Sequence, residues 1–154
     1  MISIRFGSFE TNSSSVHALV IPKEQTIRIP KSVNLYYGGE FGWDFEKRFD
    51  TLQYVFDACV DRGQEEVEKL REYLKRKGVE EINFNGNSDE TYAWGIDHSS
   101  KVPLDELFHN EHLLDMFIFG DESYIQTGND NSGDYPTKED YDEDLYDVLI
   151  KSNY

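Results

Sequence analysis

The sequence predicts an α+β fold, a single domain in which a mainly antiparallel sheet carries about three helices. Short runs rich in β-branched and aromatic residues recur along the chain, and amphipathic helical patterns stand between them. The two kinds of run do not alternate regularly, which argues against a doubly wound parallel sheet. At 154 residues the chain has room for one hydrophobic core. No repeat or low-complexity linker divides it. Residues 1–133 read as the core domain and residues 134–154 as an acidic, tyrosine-rich segment docked on it.

Each element follows from its local pattern. "MISIRF" (1–6) alternates apolar and polar and predicts a first strand; "VHALVI" (16–21) predicts a second, closed by Pro22. "QTIRIP" and "SVNLYY" continue the β character, with Pro30 as a break or edge position. "GGEFGWDFEKRFD" (38–50) predicts a loop or bent strand against the core. Leu52, Val55, Phe56, Cys59 and Val60 repeat at the spacing of one buried helix face, with Gly63 as its end. Val67, Leu70, Tyr73 and Leu74 mark a second helix. Glu65 and Glu66 lie near its start and Lys75, Arg76 and Lys77 near its end, an order that suits the helix dipole. Residues 80–98 read as a hairpin turning at "NGNSDE" between "INF" and "YAWGI". Pro103 opens a third helix with Leu104, Leu107, Phe108, Leu114, Phe117 and Ile118 as its face, and Gly120 ends it. "SYIQTG" predicts a last short strand. In the tail, Tyr141, Leu145, Val148 and Leu149 share one face of a short helix.

Composition bounds the function. With 38% hydrophobic and 14% aromatic residues the chain is too apolar to be wholly disordered. No apolar run approaches the ~20 residues of a membrane span, and the N-terminal residues lack a signal core, so a soluble, cytoplasmic protein is expected. The one cysteine, Cys59, excludes an internal disulfide and a cysteine-rich zinc site. A formal net charge of −16 repels nucleic-acid phosphates, so direct nucleic-acid binding is not expected. The same charge suits solubility or a basic protein surface.

Three polar segments border apolar elements: "ETNSSSVH" (10–17), "GIDHSS" (95–100) and "GDESYIQTGNDN" (120–131). The hydroxyls and amides of Thr11, Asn12, Ser13, Ser14 and Ser15, with neighbouring backbone N–H groups, suit phosphate oxygens or sugar hydroxyls. Asp121, Asn129 and Asp130 suit a ribose or a divalent cation such as magnesium, and Trp43 or Trp94 suits a stacked base. Glu10 and His17 are the candidate catalytic pair, since an unperturbed imidazole titrates near pH ~6.5. Each feature has a plainer structural reading. Thr, Asn and Ser also build local turns, a strand histidine is often packed or hydrogen-bonded, and strand aromatics are often core. The segment lacks the glycines and lysine of a P-loop. "HNEH" sets His109 and His112 one helical turn apart, near Asp97 or His98 in a weak metal reading, without a metalloprotease spacing; no metal ligand is assigned.

The stretch "RFGSFETNSSSVHALVI" resembles a family, without an assigned activity, of small proteins of bacteriophages and other bacterial mobile elements that carry an ETNSSSxH signature near the N-terminus. The resemblance continues through "GGEFGW", "FGDES" and "TGNDN". It implies an accessory gene product of anti-defence type, acting in the bacterial cytoplasm, and favours a site over a turn at residues 10–17.

Two functions are therefore expected to compete. In the first, the ETNSSSVH segment binds a nucleotide or phosphorylated signalling molecule, with hydrolysis left open. In the second, the acidic tail makes the chain an anti-CRISPR-type inhibitor that fills the nucleic-acid groove of a basic host defence protein.

Overall fold

The computed structural model describes residues 15–37, 51–86, 104–129 and 136–151. The strand expected at residues 1–6, the aromatic segment 38–50 and the second arm of the 80–98 hairpin lie outside them.

The α+β class holds: among the described residues four α-helices accompany a three-stranded antiparallel sheet and a two-stranded one. The larger sheet is centred on β1 (Ser15–Pro22). Every residue from Val16 to Ile21 is buried, which is why this strand reads as a nearly unbroken apolar run rather than an alternation. A strand so buried must satisfy its backbone groups on both edges. It does so with β4 (Tyr124–Asn129) on one side and β5 (Tyr146–Lys151) on the other, both antiparallel. Leu19 stands opposite Ile125 and Leu149 in one cross-strand row of the core.

β5 corrects the expected tail helix. Tyr146, Val148 and Ile150 are half-buried and Leu149 is buried, in strand rather than helix. The weak helical spacing loses to the open edge of β1, whose N–H and C=O groups a strand pairs in full. The approach is a 3-10 turn (Lys138–Asp140), then a turn at Asp142, whose carboxylate accepts from Asp144 N at 2.9 Å. The tail is thus an edge of the main sheet.

β2 (Ser32–Tyr36) and β3 (Glu81–Asn85) form the second sheet, in parallel, with Val33 opposite Ile82 and Leu35 opposite Phe84. Two helices cross between them, α1 (Thr51–Arg62) and α2 (Gln64–Lys77). Gly78 ends α2 at φ 106°, a left-handed cap that glycine adopts without strain. The expected third helix is two: α3 (Leu104–His109) and α4 (Glu111–Phe119). Asn110 makes the break because its amide competes with helical hydrogen bonding; its Oδ1 accepts from Leu113 N at 3.2 Å and caps α4. The apolar face survives the break, with Leu104, Leu107, Leu114 and Phe117 all buried.

The core lies between the main sheet and the helices, joining Leu19 and Ile21 to Phe56, Leu70, Leu74 and Phe117. Cys59 is a free, buried thiol within it, and burial, followed by the nearby Glu66 carboxylate, pushes its ionisation far up.

Candidate functional site

The register of the main sheet decides which polar segments meet. Ser15 stands opposite Asn129, so the serine-rich segment and "TGNDN" arrive at the same end of the sheet. One row inward, His17 stands opposite Thr127 on β4 and Lys151 on β5. Three chain segments therefore converge at this end, and the third brings a lysine that sequence reasoning did not include. Glu10, Thr11, Asn12, Ser13, Ser14, Trp43 and Asp130 lie outside the described residues.

Asp121 does not join this group. It sits in the turn before β4, its N–H bonded to Thr26 O at 3.0 Å, and the strand's rise puts about 17 Å between Tyr124 and Asn129. Its carboxylate lies 3.6 Å from Arg28 Nε at the opposite end of the sheet. One nucleotide gripped by both Asp121 and Asn129 is not what this register builds.

His17 is the polar exception in a buried strand, with 1% of its surface exposed. Its Nδ1 lies 2.8 Å from the Tyr54 hydroxyl, and the two rings meet edge to face at 5.7 Å. Burial alone pushes the Tyr54 phenol far above its ordinary range, so it serves as a neutral hydrogen-bonding partner. The geometry makes His17 a tie between β1 and α1. Tyr54 is the partner that sequence reasoning missed. Beside it on α1, the buried Asp57 accepts from Gln53 Nε2 at 2.9 Å. The signal for both was polar atoms in a helix that is buried almost all round.

His109 and His112 are exposed and lie on either side of the Asn110 break, on different helices. Among the described residues no three His, Cys, Asp or Glu side chains are grouped to hold a metal ion. No described helix is long and apolar enough to cross a membrane. Trp43 and Trp94 lie outside the described residues; at the end of β2, Tyr37 packs edge-on against Phe56 and Phe84, and Tyr36 is exposed.

The acidic tail forms a defined surface. Glu139, Glu143, Asp144 and Asp147, together with Lys23 and Lys138, line a shallow depression of about 640 Å³ that includes Tyr141 and Tyr146, and Asp140 and Asp142 are exposed next to these residues in the chain. The Tyr141 hydroxyl donates to Gln126 Oε1 at 2.5 Å, and its ring meets Tyr146 edge to face at 6.2 Å. Burial, then the neighbouring Tyr124 and Asp140, pushes the Tyr141 phenol up to about 12. Carboxylates here stand on a hydrogen-bonded frame. Compared with known proteins, the chain matches no family model, no curated protein and no solved structure, so function is argued from these residues.

Proposed function

We propose that this chain is a phage or mobile-element accessory protein of anti-defence type that binds a nucleotide or another phosphorylated signalling molecule at the Ser15–Asn129 end of its main sheet. The observation that carries the reading is the register, which sets Ser15 opposite Asn129 and Lys151 opposite His17. Hydroxyl and amide groups of residues 11–15 bind the phosphate, and Asn129 and Asp130 bind the sugar or a magnesium ion. A phosphate group meets repulsion from a chain of net charge −16, and Lys151 supplies an offsetting cation at the same sheet end. His17 holds the sheet end against α1; Glu10 is the group left for acid–base work if the ligand is turned over.

The test is thermal stability with nucleotides, cyclic nucleotides and cyclic dinucleotides, with and without magnesium. Ligand at ~100 times its dissociation constant stabilises the fold by ~2.7 kcal/mol. Ser14→Ala and Lys151→Ala are expected to fold and to lose that gain. His17→Ala is a poor probe because it opens a hole beside Tyr54. No stabilisation by any phosphorylated ligand, or equal stabilisation of both variants, overturns the reading.

The ordered acidic surface favours one second reading, an inhibitor that occupies the nucleic-acid groove of a basic host defence protein. Its association falls steeply with salt. Glu143→Gln with Asp144→Asn, which spares the turn-forming Asp142 carboxylate, weakens competition with DNA for such a protein; unchanged competition rejects this reading.

A further inference from the structure

Asn85 closes β3 and is followed by Gly86, the one Asn–Gly pair in the sequence. Asparagine is a chemically labile residue, and this pair favours one route of decay. The backbone nitrogen after an asparagine can reach that residue's side-chain carbonyl carbon and close a ring on it. A bulky following side chain hinders the approach, and glycine has none. Asn34 and Asn83, on the same two strands, precede Leu35 and Phe84, so the chain carries its own controls.

The fold leaves the reacting groups accessible. Gly86 is exposed and stands at φ 95°, a left-handed conformation that glycine adopts freely, which places its nitrogen in a turn beyond the ladder. Among the described residues the Gly86 N–H meets no acceptor. Asn85 is the last residue of its strand, where local opening costs least. Its amide is loosely held: Nδ2 donates to Leu35 O and to Asn83 O, each at 3.4 Å, long for such a bond.

We infer that Asn85 is a site of spontaneous covalent modification, a succinimide-forming deamidation that loosens the end of the small sheet. The Gly86 nitrogen gives its proton to solvent base and attacks Asn85 Cγ. The adduct breaks its Cγ–Nδ2 bond, Nδ2 takes a proton from water and leaves as ammonia, and a cyclic imide remains. Water then opens the imide at either carbonyl. Cleavage between Cγ and the Gly86 nitrogen leaves aspartate. Cleavage between the main-chain carbonyl carbon and that nitrogen leaves isoaspartate, with the chain rerouted through Cγ. Water is the only co-reactant, and nothing is oxidised or reduced.

Either product lacks the Nδ2 donor and carries one added negative charge beside the Leu35 and Asn83 carbonyl oxygens. Tyr37 feels the change directly. Its N–H donates to Asn85 O at 2.8 Å, and its ring packs against Phe56 and Phe84.

The test incubates the intact folded chain in mildly alkaline buffer, beside a peptide of residues 82–88 as a clock. Peptide mass spectrometry and enzymatic methylation of isoaspartate follow the products. Asn85 is expected to convert to an aspartate–isoaspartate mixture at least about tenfold faster than Asn34 or Asn83, the factor that ~1.4 kcal/mol of relief in the barrier supplies. Gly86→Ala is expected to slow the conversion. In the converted protein the Tyr37 amide is expected to exchange severalfold faster with solvent. Asn85 still intact in the folded chain when the peptide has converted overturns the inference, as does conversion no faster than at Asn34 and Asn83. Aspartate without isoaspartate, the product of direct hydrolysis, overturns the ring-closing route, and so does a rate indifferent to Gly86→Ala. Unchanged exchange at Tyr37 in fully converted protein overturns the loosening.

Discussion

Tyr54→Phe tests whether the buried contact between β1 and α1 carries energy. The phenylalanine keeps the ring, including its edge-to-face contacts with His17 and with Phe117 at 6.5 Å, and deletes only the hydroxyl 2.8 Å from His17 Nδ1. No cavity of consequence opens, so the cost is that of a buried polar group losing a partner, ~1–3 kcal/mol. A loss of about 2 kcal/mol, at ~2–4 °C per kcal/mol for a domain of this size, lowers Tm by about 4–8 °C. Urea denaturation is the cleaner assay: the midpoint falls while the slope stays constant. Combining Tyr54→Phe with His17→Phe closes a double-mutant cycle, in which the pair is expected to show a coupling of at least ~0.5 kcal/mol. A single variant within ~0.5 kcal/mol of wild type, or a cycle without coupling, refutes the reasoning.

Three further outcomes are expected. Asn110→Ala removes the α4 cap and costs about 1 kcal/mol in urea denaturation; a neutral result means the break between α3 and α4 does not depend on it. Gly120→Ala places a Cβ in clash with the Met116 carbonyl oxygen and the Gln25 side chain, the first of them backbone. It costs about 3 kcal/mol or more, the upper end of overpacking, and a fully stable variant contradicts the packing. Burial raises the phenols of Tyr54 and Tyr73, and that of Tyr141 up to about 12. The unfolded chain then releases these protons first, near pH ~10. Their contribution is full below that pH and is lost as pH rises through the folded values, so stability falls steadily above pH ~10. Denaturation midpoints that stay flat from pH 9 to 12 exclude this.

Helix α1 was legible because its apolar spacing and Gly63 agree on its extent, and α2 because spacing, the capping Gly78 and end charges agree on the same boundaries. β1 was legible from one apolar run. The break at Asn110 was not, because the apolar face continues across it and only the cap's competition with the helix marks it. The tail misled for a related reason: Tyr141, Leu145, Val148 and Leu149 satisfy a helical spacing, but the deciding term is the edge of a strand more than a hundred residues earlier. The site was legible in its residue types alone. That Ser15 faces Asn129 is a matter of register, and register depends on the whole sheet. Lys151 had no local signal, and the Tyr54 hydroxyl could not be assigned to His17 without knowing which helix covers β1.

The order of strands in the main sheet, β4–β1–β5, also governs when the molecule can assemble during its own synthesis. The central strand leaves the ribosome before both of its partners, which are encoded more than a hundred residues later. Helices α1 and α2 are local and form within microseconds, long before either partner exists. Until then "VHALVI" is an apolar strand with two bare edges, the kind of segment that chaperones hold and that aggregates when they do not. Closure of the sheet on this side waits for β5 to pair with β1.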